Sequence, residues 1–308
     1  MSIVFALNIG SLFRSFPGNI AQGMIWGIMA LGLYISYKLL NFSDLTVDGS
    51  LSTGACVTVM LIIAGVPALP AVLIAFLAGC LAGCVTGILH TVLKIAPILS
   101  GILTQIALYS INLHILGNKA NQALNINEYS LLLSLRNVNQ AILVILAFAV
   151  VLIGILYWFF GTEIGSSIRA TGNNEQMASA QGINTNHTKV IALSLSNGIV
   201  ALSGGLLAQY QGYADVGLGR GAIVIGLAAI IIGSVLFENI HKKDLNFAVA
   251  LSSAVVGGIL YYIAIGIVLW LKLPTNDMKL FTAILVAIFL SVPHLSFKKG
   301  KGVTNARD

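Results

Sequence analysis

The chain has 308 residues, of which 57% are hydrophobic and 8% charged, with a net charge of +6 and a mean hydropathy of +0.95. Soluble domains average about 45–50% apolar and about 25% charged residues. So few charges cannot cover a soluble surface, which excludes a cytosolic enzyme, a nucleic-acid binder and a disordered chain.

Asp, Glu, Lys and Arg leave long uncharged runs at 15–37, 49–93, 95–118, 137–162, 190–214, 221–237, 245–271 and 280–297. A helix needs about 20 apolar residues to cross the hydrocarbon core. Each run fits one span except 49–93, which fits two and folds back at Val66-Pro67-Ala68-Leu69-Pro70. Continuous apolar runs are helices, because barrel strands alternate. The expectation is an all-α, polytopic membrane protein of about nine spans (roughly eight to ten), forming a single transmembrane domain over 1–308. Residues 2–13 are apolar, but no basic residue precedes them and Arg14 follows. That is not a signal-peptide pattern, and 1–16 reads as an interfacial or re-entrant segment.

The first polar stretch is Asn41-Phe42-Ser43-Asp44-Leu45-Thr46-Val47-Asp48-Gly49-Ser50. Either acid can cap the next helix, and the stretch is either such a cap with a tight interfacial turn or a break or re-entrant segment near 41–50 that lines a path. Cys80 and Cys84 sit four apart on one helix face, a poor disulfide geometry, and with Cys56 they read as small packing residues. Gly79, Gly83 and Gly87 form a ridge for close helix approach. Gln105, Tyr109 and Asn112 share one helix face within a span, and Asn197 gives a similar signal later. Intramembrane polar residues face a bundle interior or a cavity. Both interhelical hydrogen bonding and a pathway lining fit that pattern.

The longest polar stretch is 161–189. Asn173 followed by Gln176 resembles a capping box, Glu175 suits a helix start, and Gly182 can close a helix in the left-handed region. A short helix is expected over 174–181, held by packing because two turns are marginal alone. The loop 209–221, with Tyr210, Tyr213, Asp215 and Arg220, falls on the opposite side. The tail 297–308 carries Lys298, Lys299, Lys301 and Arg307, which places it in the cytoplasm. With alternating spans, Lys38, Lys94, Arg169, Lys189, Lys242 and Lys243 join it there. Arg14, Lys119, Arg136, Arg220, Lys272 and Lys279 then lie outside. Apart from the tail the two sides balance, so charge alone does not set the orientation.

Catalytic patterns are absent. The sequence has no G-x-x-x-x-G-K-[ST], no histidine–carboxylate set at metal-ligand spacing and no nucleophile elbow. Its ten acids lie at or near span ends.

Two stretches resemble a known family. Asp44-Leu45-Thr46-Val47, an inserted Asp48, then Gly49-Ser50 is similar to the D-L-S-V-G-S signature of ribose-type ABC importer permeases. Asn41-Phe42 is similar to the N-F element of the branched-chain amino acid permeases. Arg169-Ala170-Thr171-Gly172-Asn173-Asn174-Glu175, then Ala178, then Gly182-Ile183, resembles the cytoplasmic R-A-x-G-x-N-x-x-A-A-x-x-x-G-I motif of both groups. The likeness covers roughly 20–295. Asp48, with Ala214-Asp215-Val216 and Gly219-Arg220-Gly221, is closer to the predicted tryptophan/tyrosine-type amino acid branch.

The resemblance implies a permease that dimerises, binds two ABC ATPase subunits inside and takes substrate from an extracytoplasmic binding protein. It makes 161–187 a cytoplasmic coupling loop in which Arg169, Ala170, Thr171, Gly172, Asn173, Asn174, Glu175, Ala178, Gly182 and Ile183 engage the ATPase. ATP and Mg then belong to the partner, this chain binds no cofactor and no nucleic acid, and it contacts lipid. Asn41, Asp44, Thr46, Asp48, Gln105, Tyr109, Asn112 and Asn197 are the expected pathway residues for a small polar solute, an amino acid by the same likeness. The alternatives are a sugar or nucleoside permease, an ion-coupled secondary transporter, and a membrane enzyme or scaffold. The scarcity of mid-span acids and the coupling motif weigh against the ion-coupled reading.

Overall fold

The computed structural model describes residues 9–125, 128–240 and 246–270, together with 280–281, 283–284 and 286–287. The chain runs α1 (Ile9–Tyr34), a π-helical turn Ile35–Leu39, α2 (Thr46–Ile63), α3 (Ala68–Thr91), α4 (Pro97–Ile115) and β1 (Asn121–Ala123). It continues through α5 (Val138–Gly161), α6 (Glu163–Asn173), α7 (Glu175–Ala180), α8 (Thr185–Gln211), β2 (Tyr213–Asp215), α9 (Ala222–Ile240) and α10 (Phe247–Trp270). Among the described residues 7 stretches are long and apolar enough to cross a membrane, and α9 adds a shorter apolar one at 222–237. The protein is a multi-pass helical membrane protein. Most of the expected span 280–297, all of the tail 297–308 and residues 1–8 lie outside the described residues.

Three expected boundaries move. Residues 9–16 are not a separate interfacial segment but the first turns of α1. A lone charge, Arg14, divides the two apolar runs there, and a long basic side chain near a helix end can reach the interface. The break is not 41–50 but 40–45: Asp44 Oδ1 accepts the Thr46 N–H at 2.9 Å, so the helix starts there and Thr46 to Ser50 form its first turns. The fold-back expected near 66–70 falls at 64–67, with Gly65 at φ +91°.

Helix α8 runs through the centre, packed on α1, α2 and α3. The α3 ridge faces it: a Cβ at Gly83 would collide with the Leu193 carbonyl, and one at Gly87 would stand 2.9 Å from Val190 Cα. Small residues let these backbones touch, the usual solution where lipid offers no hydrophobic drive between helices. The outer faces of α3 to α5 expose Leu77, Leu81, Ile106, Leu143, Val150 and Trp158, an apolar surface suited to lipid.

Strands β1 and β2 pair antiparallel, Asn121 opposite Asp215 and Ala123 opposite Tyr213, tying the segment after α4 to the segment after α8. Arg14 and Arg136 share a recess. At the other end, Arg169 donates Nη2 to the Phe160 carbonyl (2.8 Å), and its guanidinium lies over the Phe247 ring. The loops thus separate into two ends as alternation requires.

Candidate functional site

The segment after β2 does not stay at the bundle's end. It turns back onto α2, where Gly219 N donates to Ser52 Oγ (2.9 Å). Gly221 N and Ile223 N each donate to the Asp48 carboxylate at 2.9 Å. Asp48, expected as a cap for its own helix, therefore caps the start of α9 from across the fold, where free N–H groups and the helix dipole favour an acid. Gly219 is required there, because a Cβ would strike the Asp48 carbonyl. Two helix starts, those of α2 and α9, converge on this point.

Beside them lies a cavity of about 390 Å³ lined by Asp48, Ser52, Gln105, Tyr109, Asn112 and Arg220. Four of the expected pathway residues, Asp48, Gln105, Tyr109 and Asn112, are thus brought together. Arg220 completes the set, its guanidinium 5.8 Å from the Tyr109 ring centroid. Sequence reading placed Arg220 in an outer loop; the paired glycines flanking it are the only local sign that this loop packs tightly.

The remaining pathway candidates lie elsewhere. Asp44 is 1% exposed and Asn197 0%. Asn197 Nδ2 donates to Asp44 Oδ2 (2.6 Å), and Ser50 Oγ donates to Asn197 Oδ1 (2.7 Å). Thr46 meets Thr86 Oγ1 at 2.7 Å, and Thr86 donates to Thr104 at 2.9 Å. These residues form a sealed network joining α2, α3, α4 and α8, where each buried polar group has a partner. Asn41, at φ +54°, lies on the break and lines a groove with Phe42, His90 and Gly172.

The 161–187 stretch is more ordered than a loop. It comprises α6, α7 and the start of α8 at Thr185. The cap is Asn174, not Asn173: Asn174 Oδ1 accepts the Met177 N–H (2.9 Å). Asn173 is still in α6, which ends because Asn174 is extended at φ −156°. The capping box is therefore not formed. Gly182, at φ +83°, closes α7 as expected, with Ile183 N donating to the Ala178 carbonyl (3.1 Å).

Arg169, Ala170, Thr171, Gly172 and Asn173 lie on α6, and Thr171 meets Thr188 of α8 at 2.9 Å. Gly172 presses on the break: a Cβ would strike the Leu39 carbonyl and stand 2.8 Å from Leu40 Cα. Ala178 is 3% exposed and packs inward, whereas Met177 is 63% exposed. Glu175 accepts from Lys189 Nζ at 2.6 Å, which holds its carboxyl below the ordinary range. His90 Nδ1 lies 2.8 Å from the Ile95 carbonyl, which only accepts. Its Nε2 is then free to accept from Lys189 Nζ at 3.5 Å, while the His90 ring meets Phe42 edge-on. Lys189, His90 and Phe42 thus connect α7 to the break, a linkage that residues 99 positions apart gave no local pattern to reveal.

A helical membrane bundle in which two helices begin beside a cavity carrying polar and charged side chains is the construction of a transport protein. The chain belongs to the family of permease components of branched-chain amino acid transport systems, whose model matches residues 18–291. It is 39% identical to a tyrosine transport system permease protein of Clostridioides difficile over 286 residues, 93% of each chain. It is 32% identical to an uncharacterized protein of Rickettsia prowazekii over 270 residues, 88% of this chain and 94% of that one. No solved structure matches.

Proposed function

We propose that the chain is the translocating subunit of an ATP-driven importer of an amino acid, with the α6–α7 end in the cytoplasm. The observation that carries this reading is α7. It is a six-residue helix, capped at Asn174, closed at Gly182 and tethered through Glu175 to Lys189, with Gln176, Met177 and Ser179 left exposed. A helix this short cannot hold itself together, so the tethers keep a small surface ready for a partner. The partner is an ABC ATPase subunit carrying ATP and Mg; a binding protein delivers substrate at the opposite end, and a second permease copy completes the assembly. Residues Arg169 through Ile183 form the coupling segment.

Movement of α7 passes through α6 to the break, because Gly172 lies against Leu39 and Leu40. The break leads directly into the first two turns of α2, which carry Asp48 and Ser52 to the cavity. Packed elements switch between discrete arrangements rather than deform continuously, so this contact chain can alternate the cavity's access. The likeness to the tyrosine transport system permease protein of Clostridioides difficile and the acid at position 48 support an amino acid as substrate.

The test is uptake of labelled L-tyrosine into proteoliposomes holding the permease with the P-loop ATPase and binding protein of the same organism. Uptake that needs ATP, and that Met177→Asp abolishes while releasing the ATPase, supports the reading. Uptake by the permease alone under a proton or sodium gradient refutes it, and ATP-driven uptake of ribose or uridine in place of tyrosine refutes the substrate class.

A further inference from the structure

The cavity holds two opposite charges that do not neutralise one another. The Asp48 carboxylate is fixed by the Gly221 and Ile223 amides. The Arg220 guanidinium is fixed over Tyr109, and among the described residues it forms no ion pair. A third group waits on the same wall. The Asn112 residue is 1% exposed, yet its amide oxygen is buried with no hydrogen-bond partner. A buried polar atom without a partner is costly, and its neighbours here are cavity-lining residues on the same helix face, Gln105 and Tyr109.

The geometry points to a two-ended receptor for a zwitterionic amino acid in this cavity: Asp48 and Asn112 take the α-ammonium group, and Arg220 takes the α-carboxylate. This rests on the amino-acid reading above and adds which atoms select it. An ammonium supplies three donors, enough for a carboxylate and an amide oxygen together, and a planar guanidinium pairs with a carboxylate through two parallel bonds. A simple cation would leave Arg220 uncompensated, and a simple anion would face Asp48. A neutral sugar would desolvate both charges without pairing either. A volume of about 390 Å³ lies within the range of sites for small molecules. Arg220 and Asn112 are therefore specificity-determining residues for the permease itself, independent of any selection by a binding protein.

The experiment is equilibrium binding to the full-length permease in nanodiscs, without ATPase or binding protein. The probes are L-tyrosine, tyramine, which lacks the carboxylate, and 3-(4-hydroxyphenyl)propionate, which lacks the amine. L-Tyrosine is expected to bind at least tenfold more tightly than either analogue. Arg220→Gln should remove its advantage over tyramine, and Asn112→Leu should reduce its advantage over the propionate, with Asp48 still in place. Asp48 also caps α9, so these two variants, which leave that cap intact, carry the test. Equal binding of the three probes, no binding of L-tyrosine to the intact permease, or an unchanged preference in Arg220→Gln would overturn the proposal. ATP-driven uptake without discrimination by the isolated permease removes this inference and spares the importer reading. Discrimination without ATP-driven uptake does the reverse.

Discussion

Replacing Gly172 by alanine tests whether motion passes from α6 to the break before α2. The added methyl would stand 2.8 Å from Leu40 Cα, where ordinary contact begins at 3.4 Å, and would strike the Leu39 carbonyl. Backbone atoms, not flexible side-chain ends, must yield, so α6 and the break have to separate. The Thr171–Thr188 bond opposes that, because it fastens α6 to α8 one residue away. Inserting a methyl into such a contact costs about 1–3 kcal/mol. Where the contact exists in one of two transport states, that cost shifts their equilibrium by about 5- to 150-fold. The assay is substrate-stimulated ATPase activity and ATP-driven uptake in proteoliposomes, beside thermal unfolding of the purified permease. Uptake is expected to fall at least fivefold while the ATPase still co-purifies. Gly154→Ala is the control, since a Cβ there meets nothing within 4 Å and alanine favours a helix by about 0.5–1 kcal/mol. Full coupling in Gly172→Ala would refute the route, as would equal losses in both variants.

Other perturbations read other parts of the fold. Asn197→Leu removes the buried amide shared by Asp44 and Ser50, and leaving a buried polar group without that partner costs about 1–3 kcal/mol. The expected result is loss of a monodisperse peak in size-exclusion chromatography. Asp48→Ala removes the cap of α9 and should lower stability by about 0.5–2 kcal/mol, read as a downward shift in thermal unfolding. The Glu175 carboxyl is held below its ordinary value of 4.5 chiefly by the hydrogen bond from Lys189. Its tether is therefore complete above that value and is lost as pH falls through the lower, folded-state one. The protection of α7 amides against hydrogen exchange, taken relative to the intrinsic rate at each pH, should fall on acidification below about pH 4.5 in the native protein but not change in Glu175→Gln. Asn174→Ala should fray the start of α7 by about 1 kcal/mol, seen as faster exchange confined to its first turn.

The motif positions show where local reading reached its limit. Gly182 was legible as a helix stop because a positive φ selects glycine at that one residue. Asn173 and Asn174 were not distinguishable as caps, because either amide suits the position and only the path of α6 decides between them. Gln105, Tyr109 and Asn112 shared a face by spacing alone, but spacing could not say which neighbours they meet. Asp44 and Asp48 look equivalent in the sequence, yet one is sealed against Asn197 and the other opens on the cavity.

The sequence by itself determined the solvent and the class of fold. Its charges are too few for water and are spaced to let helices cross lipid, and hydrocarbon tolerates only backbones that satisfy their own hydrogen bonds. It also determined that α3 carries a ridge for close packing, since a glycine every four residues is a property of one helix face; that α8 is what packs there was decided by the tertiary structure. Only the tertiary structure decided that Arg220 shares a cavity with Asp48, Tyr109 and Asn112, and that His90 and Lys189 join α7 to the break. Those contacts connect residues dozens to more than a hundred positions apart. They depend on β1–β2 pairing and on the return of the 216–221 segment onto α2. Periodicity records which face of an element is buried, but not which distant element buries it.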